Sequence, residues 1–186
     1  MTALIVPDVR LCASWAETVR EFGAETMHGS GDWHFPGGWR DLRESGCQAV
    51  VDWLRQAAEP VEPLPGGLVP SDYYWITDGD PETLVGFLAL RHRLNDWLLE
   101  QGGHIGYSVR PSRRREGHAS RALALAVRRA GELGLDRVLV TCDDDNEASR
   151  RTIEVNGGVY EDTRGRKLRF WIDASPRSGP GPGQVV

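Results

Sequence analysis

The spacing of apolar residues changes character near residue 73. Upstream, the pattern is helical. Ser14 stands where an N-cap belongs for a helix over 15–22. A second helix is predicted over 39–57, with Leu42, Val50, Val51 and Leu54 on its inner side. A short strand is expected at 4–6. Downstream, brief apolar runs bounded by Gly, Asp, Asn and Pro predict strands. Residues 73–77 and 84–90 form a hairpin around 78–81. Strands at 104–109 and 137–142 follow, with a short helix within 95–99 before them. A hairpin of 159–160 with 168–172 closes the chain. Between 104–109 and 137–142, Ala119, Ala122, Leu123, Ala126, Val127, Ala130 and Leu133 recur on one face of a helix that Gly134 ends. A strand–helix–strand crossover makes the two flanking strands parallel. Asp145 or Asn146 caps a further helix through 155, closed by Asn156, Gly157 and Gly158.

The remaining segments read as connections. Residues 27–38, rich in glycine and aromatics, predict an ordered loop with unusual backbone angles. Residues 60–70 hold four prolines and two glycines, an arm lying on the surface of one domain. Residues 174–186 predict a flexible tail after a single domain over 1–173. The 186 residues suffice for one core, and 40% hydrophobic with 26% charged residues is a globular composition. No apolar run is long enough to cross a bilayer, and the first residues do not read as a signal segment.

Charge narrows the partners. A net charge of −5 argues against nucleic acid, which favours a basic face. The acidic remainder is weakly compatible with a cationic substrate. Cys12, Cys47 and Cys142 are odd in number and widely spaced, which suggests a reducing compartment without a disulfide or metal framework. The chain is therefore read as cytoplasmic, with no membrane partner, and is compatible with a homodimer. Asp143, Asp144 and Asp145 read as helix N-terminal charge, not as metal ligands.

Candidate chemistry is concentrated at one turn. Arg110, Arg113, Arg114 and Arg115 fall between a strand and the long helix, and Gly117 follows. The free N–H groups of a first helical turn and the positive end of its dipole attract phosphate. Glycine there lets the backbone approach without a Cβ in the way.

Two motifs in order resemble the GNAT superfamily of acyl-CoA N-acyltransferases. Its Arg/Gln-x-x-Gly-x-Gly/Ala pattern is matched by Arg114, Gly117 and Ala119, preceded by Val109 and Pro111. Its later helix is matched by Asn146, Ser149, Asn156 and Gly157. The likeness covers about 73–173, and the stretches 90–92, 102–107 and 156–158 look closest to a group of uncharacterised predicted acetyltransferases.

The resemblance implies an α/β (α+β) fold: one domain with a mixed, mostly antiparallel sheet, splayed central parallel strands and flanking helices. It implies acetyl-CoA as cosubstrate and no metal. Backbone groups around Ser108, Val109 and Arg110 would pair with pantetheine. The turn Arg114, Arg115, Glu116, Gly117, His118, Ala119 and Ser120 would hold the pyrophosphate, with Arg114 and Arg115 adding charge and the His118 ring facing solvent. Asn146 and Ser149 would contact the remaining cofactor, and an N–H near Val109 would polarise the thioester.

The implied reaction is direct acetyl transfer to a primary amine of a small molecule or peptide. Alternatives are another acyl-CoA, a hydroxyl acceptor, or a silent acyl-CoA-binding regulatory domain. Many relatives carry a tyrosine where this chain has Ile153. His104 and Tyr107 are the catalytic candidates, His104 because it titrates near neutrality. Their alternative is structural: His104 bonded to a backbone carbonyl, Tyr107 packed in the core. Alternation places them on opposite faces unless a β-bulge intervenes. Cys142 is expected to pack. Trp33, Trp39, Trp53, Tyr73, Tyr74 and Trp97 are read mostly as core.

Overall fold

The structure, a computed structural model, describes residues 1–59, 67–80 and 82–175. Most of the predicted proline arm, and the predicted tail beyond Ser175, lie outside these residues.

Seven strands form one sheet: β1 (Ala3–Ile5), β2 (Ser71–Asp78), β3 (Thr83–Arg91), β4 (Ile105–Val109), β5 (Arg137–Asp143), β6 (Val159–Arg164) and β7 (Lys167–Asp173). Their spatial order is β1-β2-β3-β4-β5-β7-β6. Four α-helices accompany them: α1 (Cys12–Phe22), α2 (Glu44–Gln56), α3 (His118–Glu132) and α4 (Glu147–Val155). All strand pairs are antiparallel except β4 with β5. That exception follows from the α3 crossover.

Two cores cover the two faces of the sheet. On one face, Ala122, Leu123, Ala126 and Ala130 of α3 and Ile153 of α4 pack on Val85, Leu88, Ile105, Val109 and Val140. Three alanines and one leucine give α3 a close approach, and Leu123 alone contributes about 2 kcal/mol by leaving water. On the other face, Trp15, Phe22, Val50, Val51 and Leu54 pack on Trp75, Leu84 and Phe87. Trp39 wedges between Trp15 and Phe87, with ring centroids 5.6 and 5.2 Å away.

Several local expectations are corrected. Ser14 does not cap α1. Its Oγ accepts the Leu84 N–H at 2.9 Å and ties the helix to β3, while Asp8 caps the short 3-10 turn (Val9–Leu11) that leads into α1. α2 begins later than predicted because Asp41 accepts the Arg43 N–H and guanidinium, which closes a turn just ahead of it. The helix expected within 95–99 ends as a π-turn at Leu98–Gly102. Trp33 and Trp97 are exposed, at 63% and 56%, not in the core.

The cysteine reading is also overturned. Cys12 and Cys47 form a disulfide, their Cα atoms 5.6 Å apart, and only Cys142 is free among the described residues. Sequence spacing hid the pair because α1 and α2 meet only through folding. With this disulfide formed, the cysteines do not point to a reducing compartment. Among the described residues, no helix is long and apolar enough to cross a membrane.

Candidate active site

β4 and β5 share one register pair, Ile105 with Val140. His104 fastens the closed end: its N–H donates to the Leu139 carbonyl at 2.7 Å, and its Nδ1 accepts the Leu139 N–H at 2.8 Å. Beyond Ile105 the strands separate. β4 stays in register with β3 from Leu90–Ile105 to Gly86–Val109, without a bulge. The Arg91 N–H donates to the His104 carbonyl, and the Arg110 N–H donates to that of Val85. Bonded and non-bonded pairs alternate in an antiparallel ladder, so the peptide groups of Tyr107 and Val109 point away from β3, toward the gap. Ser108 and Arg110, expected to line it, turn their backbone toward β3. The Val109 carbonyl accepts from Arg114 Nε at 3.0 Å, which leaves the Val109 N–H as a donor into the gap.

The gap ends at the start of α3. Gly117, the N-cap, has φ +82° and supplies no side-chain cap, so the first-turn N–H groups of α3 are open. A Cβ on Gly117 would sit 3.3 Å from the Arg121 guanidinium. Just before it, Arg115 has φ +67°, alone among the described non-glycine residues. Backbone strain of this kind is concentrated at functional sites.

The arginines divide sharply. Arg110 pairs with Glu21, Arg113 with Asp78 and Glu116, and Arg114 with Glu25 at 2.5 Å. Arg115 has no ion-pair partner among the described residues. Glu116 is a partner for Arg113 and His118, which holds its carboxyl below the usual range. His118 is corrected from solvent-facing to buried, at 3% exposure. Its Nδ1 lies 2.9 Å from Thr2 Oγ1, so its ring locks the N-terminus to α3. Ala119 packs on the core, and Ser120 Oγ accepts from Asn156 at 3.1 Å.

Asn146 caps α4, its Oδ1 accepting the Ser149 N–H at 3.0 Å. Tyr107 reaches α4 from β4, its hydroxyl 2.9 Å from Ser149 Oγ. Burial pushes the Tyr107 phenol up to about 12. Ile153 lies one turn after Ser149 and is wholly buried. Cys142 is buried, and burial raises its thiol to about 11, so it packs as expected.

His104 does not suit base chemistry. Burial and the nearby Arg91 charge lower its imidazole to about 4, and Nδ1 is committed to a backbone N–H. A histidine the sequence reading passed over, His28, lies in the loop that crosses β4. The 27–38 loop crosses β4 on the α1/α2 face. There a Cβ on Gly29 would lie 2.2 Å from the Gly106 carbonyl, so only glycine fits. Ser108 Oγ donates to the His28 carbonyl at 2.8 Å. The exposed His28 ring lies 6.1 Å from Trp33. Its pKa is lowered, first by loss of solvent and then by Lys167 and Arg91, while Asp143 and Asp32 oppose this. The usable signal was a histidine within a glycine-aromatic loop, and the approach of that loop to β4 was not readable from sequence.

Comparison with known proteins agrees with this architecture. Residues 19–159 match the family model described as the acetyltransferase (GNAT) domain. The fold is similar to RimJ of Mycobacterium smegmatis in complex with CoA-disulfide, at 21% identity, 93% and 82% coverage of the two chains and TM-score 0.64. It is also similar to the microcin C7 self-immunity acetyltransferase MccE in complex with acetyl-CoA and AMP, at 14% identity, 92% coverage of both chains and TM-score 0.61. A GNAT-family acetyltransferase of Bacillus anthracis is 18% identical, with 93% and 95% coverage and TM-score 0.59. No curated protein sequence matches the chain.

Proposed function

We propose a function from the premise that this chain belongs to the acetyl-CoA-dependent GNAT acetyltransferase family: direct transfer of the acetyl group to a primary amine. The observation that carries this reading is the gap between β4 and β5, which runs from the Tyr107 and Val109 peptide groups to the uncapped start of α3. Its donors fit a coenzyme A thioester. Pantetheine amides pair with Tyr107 and Val109 as an added strand would. The pyrophosphate rests on the N–H groups of His118, Ala119 and Ser120, with Arg115 as the uncommitted cation. The Val109 N–H stabilises the oxyanion that forms as the amine attacks.

Proton balance assigns two further groups. The attacking nitrogen loses a proton as its bond to the acetyl carbon forms. His28, neutral at physiological pH because its pKa is lowered, accepts it. The carbon–sulfur bond breaks, and the thiolate takes a proton from the Tyr107 hydroxyl, which is replenished through Ser149. That hydroxyl enters α4 one turn before Ile153 and so stands in for the tyrosine many relatives carry there.

The test is thiol release from acetyl-CoA against a panel of primary amines and alcohols, with rates read against pH. Amine-dependent release should fall on the acid side, and His28→Gln should remove that limb and lower kcat/KM by about a hundredfold or more. Release with alcohols only, or with neither class, would contradict the reading.

A further inference from the structure

The acceptor side of the gap holds an arginine with no carboxylate partner among the described residues, although the chain as a whole is negative. At its floor lies Arg91, from the end of β3. Its Nη1 donates to the carbonyls of Gly102 and Gly103, each at 3.1 Å. No carboxylate pairs with it among the described residues, and neither Nε nor Nη2 has a partner there. The side chain is half-buried, and loss of solvent lowers its pKa while Tyr73 opposes this. A Cβ placed on Gly106 would lie 3.5 Å from both Nη1 and Nη2 and 3.6 Å from the Gly29 nitrogen. The guanidinium therefore sits under the 27–38 loop, on the sheet face where Ser108 holds His28.

Its neighbours do not neutralise it. The Arg91 charge lowers the pKa of His28, His34 and His104. Of the nearby acids, Asp143 is paired with Lys167 Nζ at 2.7 Å, and Asp32 keeps its charge but is bonded to Ser30 Oγ at 2.8 Å and makes no contact with the guanidinium among the described residues. A half-buried cation without a counter-ion is costly, and an anion supplied by a ligand offsets part of that cost. Because Nη1 is already used, the free edge is Nε with Nη2. That edge is a planar pair of donors matched to the two oxygens of a carboxylate.

We propose that Arg91 is the anion-binding subsite of the acceptor site, so that the acceptor is a primary amine that also carries a carboxylate. This rests on the acetyltransferase reading above and narrows its substrate class. A polyamine or a lysine side chain in a basic peptide brings no anion to this edge and is repelled by it. An amino acid or a short acidic peptide places its carboxylate on Arg91 and its amine toward His28.

The test uses the whole chain with acetyl-CoA and a series of straight-chain amino acids from glycine upward, each beside its own carboxamide. For at least one length, kcat/KM should favour the acid by about tenfold to hundredfold, the worth of a charge-assisted hydrogen-bonded pair. Arg91→Gln should erase that preference chiefly through KM, and Arg91→Lys should keep its sign, with acetyl-CoA affinity unchanged in both. Turnover of acids and amides alike at every length, or an equal loss for both in Arg91→Gln, overturns the subsite and leaves the acetyltransferase reading standing. If neither member of any pair turns over while acetyl-CoA binds, the subsite falls, and the panel of amines and alcohols above decides the acetyltransferase reading separately.

Discussion

A buried imidazole that accepts a backbone proton is poorly placed to take one from a substrate. His104 is such a group, and its value near 4 has a consequence for stability. Between the unfolded value of about 6.5 and the folded value, the unfolded chain binds a proton that the folded chain refuses. The stabilisation is complete above the unfolded value and is lost as pH falls toward the folded one, by about 3 kcal/mol in all. Urea unfolding of wild type and His104→Asn at about pH 7 and about pH 4.5 measures it: the variant should lose less stability on acidification, and parallel losses would contradict the assignment. Residue types were readable from sequence, but their commitments were not. Arg110, Arg113 and Arg114 look as free as Arg115 in the string, yet three of the four are neutralised by Glu21, Asp78 and Glu25, which lie far from them in sequence. His104 was singled out for its intrinsic titration, which burial then removed, while His28 went unnoticed in a loop.

Elements were more legible than their couplings. Period 3.6 over α3 and short apolar runs over β2, β3 and β5 came from local patterning, as did Gly117 and Gly134 at the two ends of α3. Boundaries shifted where a side chain redirected the backbone, as Asp41 does ahead of α2. The disulfide between α1 and α2 was invisible because nothing local brings Cys12 and Cys47 together. The sequence separation of 35 residues that it spans includes the 27–38 loop with His28. Cross-linking a loop of that length stabilises by about 2–4 kcal/mol, mostly through the unfolded state. Reduction, or Cys12→Ser with Cys47→Ser, should lower the urea midpoint accordingly. It should also raise KM for the amine, because α1 and α2 carry the acceptor loop between them, and leave acetyl-CoA affinity unchanged. A change in acetyl-CoA affinity without a change in amine KM would show that the loop is anchored otherwise.

At the scale of the molecule, the sheet divides the work. The α3/α4 face and the gap carry the groups we assign to the donor, and the α1/α2 face carries the groups we assign to the acceptor. The donor half was legible because a strand, a glycine turn and a helix are contiguous in sequence. The half we assign to the acceptor draws on His28, Arg91 and Ser108, which only folding brings together. Even within the donor half, alternation reversed one detail: Tyr107 and Val109, not Ser108 and Arg110, turn their peptide groups into the gap. The most direct test is to follow backbone amide resonances as acetyl-CoA is added. Tyr107, Val109, His118, Ala119 and Ser120 should move together and saturate at one affinity, Ser108 and Arg110 should move less, and Gly117→Leu should abolish the response while the remaining spectrum stays folded. Saturating shifts confined to other parts of the sheet, or an unchanged affinity in Gly117→Leu, would contradict the account.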